Sequence, residues 1–90
     1  MVTQKVVVTD ALGLHLRPSS SLCELCLKYQ SKIQFKKESS IANAKSVLSV
    51  LAARVKQGDE IEIICEGEDE EEALRAIVDV FQNGFQENGV

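Results

Sequence analysis

The sequence predicts an α+β fold in which one mainly antiparallel sheet carries helices on a single face. Three observations lead there. Residues 32–36 and 59–66 alternate polar and apolar side chains, the period of a strand with one face buried. Leu22, Leu25, Cys26 and Tyr29, and later Leu74, Ile77, Val78 and Phe81, recur at helical spacing. The two patterns follow one another as β-α-β-β-α-β-α, and strands this polar on alternate positions cannot be covered on both faces as a parallel sheet is.

The elements follow in order. Residues 3–9 are rich in β-branched side chains and predict a first strand, with Val6 and Val8 inward and Lys5 and Thr9 outward. Gly13 breaks the pattern. Pro18 reads as a helix-opening proline that pushes Arg17 towards an extended backbone, so a first helix is expected over about residues 17–29. Lys32 to Lys36 is a second strand, and after a polar turn from Lys37 to Ser39 the segment Ser40–Asn43 returns beside it as a third.

From Ser46, which reads as an N-cap, a run with Val47, Leu48, Val50, Leu51, Ala52 and Ala53 predicts a short helix ending before Gly58. It carries more apolar surface than one buried face needs. Asp59–Glu66 is the fourth strand, with Ile61, Ile63 and Cys65 on one face and Glu62, Ile64 and Glu66 on the other. Asp69, with Glu72 three residues on, reads as the cap of an acidic first turn that opens the last helix. The tail from Gln82 to Val90 is expected to fray.

Ninety residues with 44% hydrophobic content suit one domain over residues 1–90, too small for a deep cofactor cavity, and no cofactor is expected. The apolar run near the N-terminus is too short for a signal peptide, and no stretch approaches the roughly 20 residues that span a bilayer. A cytoplasmic protein with no membrane insertion is expected. Net charge is −4, split unevenly: residues 1–58 hold nine Lys/Arg against three Asp/Glu, and residues 59–90 hold one against eleven. A basic surface on the first part would attract acidic protein partners, whereas the field of the whole chain repels nucleic acid.

Three cysteines without secretory context make a disulfide framework improbable. Cys23 and Cys26 do spell C-x-x-C, the pattern of a redox dithiol or half a metal site. No second such pair or nearby histidine completes a zinc set, so no metal is expected, and both read better as small core residues.

The only histidine lies in Gly13-Leu14-His15-Leu16-Arg17-Pro18, between the first strand and first helix. Gly13 can turn the chain with φ > 0. A neutral imidazole is a nucleophile near physiological pH, and N-phosphorylated histidine remains reactive enough to pass the group on. Arg17 can donate paired hydrogen bonds to phosphoryl oxygens. Ser19 and Ser20 offer hydroxyls, either to the same group or to capping the helix.

This motif is similar to the phosphorylation site of the histidine-containing phosphocarrier (HPr) family of the phosphoenolpyruvate-dependent sugar phosphotransferase system. Ala44-Lys45-Ser46, Gly58 and Gly67-Glu68-Asp69-Glu70 extend the resemblance over nearly the whole chain. It implies an open-faced β-sandwich with sheet order 1-4-2-3 and three helices on one face. It also implies phosphorylation of His15 at Nδ1 by enzyme I, transfer to EIIA domains, and Arg17 as the phosphoryl-stabilising partner. The carrier would be a covalent intermediate rather than an enzyme with its own small substrate, and a monomer.

By the same resemblance Ser46 becomes a regulatory phosphorylation site for an HPr kinase/phosphorylase, and Val47, Leu48 and Leu51 a docking patch for enzyme I and EIIA. Ser20 and Arg54 join them as expected partner-binding residues. Five positions depart from the family pattern. Glu24 and Leu27 stand where many relatives have lysines, and Ser19 replaces a common alanine. Arg54 stands where relatives often have a glycine ending the short helix, so either the backbone differs there or the helix runs further, and its guanidinium can approach the phosphoryl site. Leu12 replaces the asparagine of some branches. A regulatory paralogue serving nitrogen or carbon control is the nearest alternative function, and a C-x-x-C redox or metal-binding module a more distant one.

Overall fold

The computed structural model describes residues 1–9, 13–14 and 16–83; His15, Leu12 and the tail beyond Asn83 lie outside the described residues. The elements are β1 (Val2–Val7), α1 (Leu16–Cys26), β2 (Lys32–Lys37), β3 (Ser40–Asn43), α2 (Val47–Ala52), β4 (Glu60–Glu66) and α3 (Glu70–Asn83). The four strands pair antiparallel in the order β1-β4-β2-β3. The fold class and topology are those expected.

Strand alternation places the core. Val6, Val8, Ile33, Phe35, Ile61, Ile63 and Cys65 are all buried on one face of the sheet, beneath Leu22 and Cys26 of α1, Val50 of α2, and Ala73, Ile77, Val78 and Phe81 of α3. Full burial of each large side chain contributes roughly 1.5–3 kcal/mol. The other face carries charge. Lys5 and Lys36 flank Glu62 from the two neighbouring strands, and Lys32 lies opposite Glu66. The basic first part and the acidic remainder of the chain thus interleave on the open face of the sheet, where opposite charges across strands are favourable.

Several boundaries differ from expectation, each for a local reason. Helix α1 opens at Leu16, so Arg17 is helical and Pro18 is the third residue of the first turn. Proline fits there because the first N–H groups of a helix have no intrahelical acceptor. The helix closes at Cys26, three residues early, and the chain continues in tighter turns with Lys28 N–H donating to Leu25 O (3.1 Å) and Tyr29 N–H to Cys26 O (3.1 Å). What draws it away is Asp69, whose carboxylate accepts from Gln30 N–H and Ser31 N–H, both at 2.9 Å, and from the Ser31 hydroxyl.

Asp69 is therefore a clamp between α3 and the α1–β2 turn rather than a partner to Glu72. The reciprocal bond at the start of α3 comes instead from Glu70, whose Oε1 accepts from Gly67 N–H at 3.1 Å. Strand β4 starts at Glu60 because the Asp59 carboxylate is occupied in a turn, accepting from Lys56 N–H at 2.8 Å. Gln82 and Asn83 remain helical, with Asn83 Nδ2 donating to Asp79 Oδ1 at 2.6 Å.

Helix α2 ends where a glycine would end it. Ser46 is its N-cap, the hydroxyl accepting from Ser49 N–H at 3.2 Å, and Ala53 is the C-cap. Arg54 then takes φ 54°, the left-handed conformation. For an L-residue other than glycine this costs roughly 1–2 kcal/mol. The helix does not run further; Arg54 takes a conformation that glycine adopts readily.

Candidate functional site

The segment between β1 and α1 is pinned on both sides by the loop that follows α2. Beyond β1, Val8 N–H donates to Asp59 O (2.9 Å), Gly58 N–H to Val8 O (2.8 Å) and Gln57 Nε2 to Thr9 O (3.2 Å). Before α1, Leu14 N–H donates to Val55 O at 3.0 Å. Gly13 has φ 69°, and a Cβ there would stand 2.5 Å from the Val55 oxygen and 2.9 Å from Lys56 Cα. No other residue fits without moving the loop. Leu14 is buried and anchors the chain immediately before His15.

The loop is itself braced. Lys37 Nζ pairs with Asp59 Oδ2 (3.1 Å) and donates to Arg54 O (2.8 Å). The Lys56 N–H bond, then the Lys37 bond, hold the Asp59 carboxyl below its ordinary value of 3.8.

Of the expected site residues, His15 lies outside the described residues, and Arg17 is exposed in the first turn of α1. No acidic residue shares that turn. A cation at a helix N-terminus opposes the macrodipole, an arrangement that becomes favourable when an anion sits between the N–H groups and the guanidinium. Ser19 cannot serve such an anion: it is fully buried, and its hydroxyl finds no hydrogen-bond partner among the described residues. Ser20 is half-buried.

On α2, Leu48 is 80% exposed, Val47 and Leu51 are half-buried, and Val50 alone is fully in the core. Ser46 is half-buried at the start of the same helix. Leu16, 63% exposed beside Arg17, is an apolar surface residue that the helical periodicity from Leu22 onward does not reveal. Its position directly after the histidine is the signal that could.

The C-x-x-C pair has a packing explanation. Cys23, Cys26 and Cys65 are free thiols and buried. The Cys23 thiol donates to Lys45 O at 3.0 Å. Burial, with smaller contributions from Cys65 and Cys23, pushes the Cys26 thiol up to about 12, away from the thiolate that redox exchange and metal binding require. Among the described residues no cluster of three or more His, Cys, Asp or Glu side chains could hold a metal ion, and no described helix is long and apolar enough to cross a membrane.

A family model described as the PTS HPr component phosphorylation site matches residues 2–83. The phosphocarrier protein HPr of Treponema pallidum is 38% identical over 87 residues, covering 97% of this chain and 99% of that protein. The phosphocarrier protein NPr of Escherichia coli is 36% identical over 88 residues, covering 97% and 98%. Among solved structures, HPr of Thermoanaerobacter tengcongensis superposes with a TM-score of 0.93 at 33% identity, covering 98% of this chain and 99% of that one. Fold and relatives together define the class: a phosphocarrier protein of the phosphotransferase system, distinct from an enzyme that turns over its own substrate. The chain belongs to the HPr family.

Proposed function

We propose that His15 accepts a phosphoryl group from phosphorylated enzyme I and passes it to an EIIA domain. The observation that carries this reading is Arg17, an exposed guanidinium in an acid-free first helical turn directly after the only histidine of an HPr-family chain. In each transfer the imidazole nitrogen forms a bond to phosphorus as the donor's bond to phosphorus breaks, and Arg17 offsets the charge on the phosphoryl oxygens. The carrier leaves as phosphohistidine and returns to free imidazole at the next partner. It acts in the cytoplasm as a single domain.

Partners dock over Leu48 with Val47 and Leu51 of the same helix, and with Ser20 of α1, since an 80% exposed leucine on a helix with half-buried apolar neighbours is the kind of apolar centre that interfaces use. Ser46 is the regulatory position. A phosphate there would add roughly 1.5–2 negative charges next to Val47 and weaken the approach of an acidic partner.

Incubation with enzyme I and phosphoenolpyruvate should place a single acid-labile phosphate on the chain, detected by intact mass. Equal labelling of His15→Ala would overturn the assignment. Incubation with ATP and HPr kinase should phosphorylate the wild type and spare Ser46→Ala. The near-equal identity to HPr and NPr relatives keeps a second reading beside the first, a regulatory branch. Comparing transfer from sugar-branch and nitrogen-branch enzyme I proteins separates the two.

A further inference from the structure

Arg54 holds a backbone conformation that its side chain disfavours, at a place where that conformation is needed. Its φ of 54° closes α2. Val55, the next residue, accepts the Leu14 hydrogen bond at 3.0 Å and leaves no room for a side chain at Gly13. His15 follows Leu14 and Arg54 precedes Val55, each step about 3.8 Å along the chain. The root of the Arg54 side chain is thus fixed close to the histidine segment, and Lys37 holds its carbonyl at 2.8 Å.

Glycine would satisfy the backbone there without strain. A strained residue held in place by its surroundings points to a use for its side chain. The guanidinium is exposed and has no carboxylate partner among the described residues. Two neighbouring cations are committed elsewhere: Lys37 to Asp59 and the Arg54 carbonyl, and Lys45 Nζ to Tyr29 O at 2.7 Å. Arg54 also follows Leu48 and Leu51 along the chain, its N–H donating to Leu51 O at 3.1 Å, and an exposed arginine at the end of an apolar helix suits the polar rim of an interface.

We propose that Arg54 is a specificity-determining contact of the phosphotransfer complex, its guanidinium pairing with a carboxylate of the protein that phosphorylates His15. The proposal rests on the carrier reading and adds to it a residue that selects the partner. Its two effects oppose each other, since the residue costs the fold stability and contributes to docking.

The test measures initial rates of phosphorylation by enzyme I against carrier concentration, with thermal unfolding, for the wild type, Arg54→Gly, Arg54→Gln and Arg54→Lys. Arg54→Gly should raise Tm while raising KM roughly two- to fivefold with kcat unchanged, the size expected for an exposed ion pair. Arg54→Gln should raise KM equally, Arg54→Lys should stay within about twofold of the wild type, and added salt should narrow every difference. A purely structural residue would not gain stability while losing affinity. Wild-type KM and salt dependence in Arg54→Gly and Arg54→Gln, with His15 still labelled, would overturn the proposal and leave the carrier reading standing. So would Arg54→Lys behaving as Arg54→Gln. Absence of label on the wild type would overturn both.

Discussion

At the scale of single residues, two positions around the histidine segment respond to substitution in opposite directions. Gly13 combines φ 69° with a Cβ position 2.5 Å from the Val55 oxygen. Gly13→Ala must therefore bear the left-handed backbone cost and displace the loop that holds Leu14, together roughly 2–4 kcal/mol. Urea unfolding should show the midpoint falling accordingly, and the phosphorylation rate should fall with it because the segment loses its seat. Ser19 is the converse. A buried hydroxyl without a partner among the described residues costs about 1 kcal/mol or more, and alanine at a helical position removes it without leaving a large cavity. Ser19→Ala should raise the urea midpoint and leave phosphorylation unchanged; a lower midpoint would mean that the hydroxyl is satisfied in solution.

At the scale of elements, the core of the fold is set by nearest-neighbour pattern, and its joints are set by contacts between segments distant in sequence. Alternation and helical spacing were enough to place every element of the sheet and all three helices, because each buries one face. The pattern could not show that Asp69 reaches back to Ser31, 38 positions away, and so it assigned that carboxylate to its own helix. Pro18 misled for a related reason, since proline is tolerated throughout the first turn and does not single out its first residue. The His15 motif is legible from residue types alone, and Leu16 from its place directly after the histidine, whereas the left-handed conformation of Arg54 needs the backbone.

The Asp69 clamp makes a prediction about acid. Its carboxyl lies below the ordinary 3.8, chiefly through the Ser31 hydroxyl and then Gln30 N–H. A depressed folded value means the unfolded chain binds the proton more readily, so the clamp's contribution is complete above pH 3.8 and is lost as pH falls through the folded value. Thermal unfolding between pH 2 and 7 should show a steep loss of Tm below about pH 4 in the wild type. Asp69→Asn should lower Tm at neutral pH and flatten that acid limb, and an unchanged limb would place the acid sensitivity elsewhere.

At the scale of the whole molecule, the thiols report on global opening. Cys26 of α1 and Cys65 of β4 both contribute to the one core, and burial is the largest cause pushing their thiols up, to about 12 and about 11. In the unfolded chain both return to an ordinary value near 9.0. A raised folded value means that the unfolded chain gives up its proton first, so this part of the stability is complete below pH 9 and diminishes as pH rises towards the folded values. Two consequences follow for experiments with a thiol reagent. At pH 8 Cys26 and Cys65 should be labelled only through unfolding, their rates falling together as stability is raised and rising together as urea is added, because both are fully buried in the one core. Peptide mapping by mass spectrometry separates them from Cys23, which sits nearer the surface of α1 and bonds to Lys45 O. The urea midpoint should also fall between pH 9 and 11 in the wild type and fall less in Cys26→Ala. Labelling of Cys26 at a rate independent of urea would mean that α1 opens by itself.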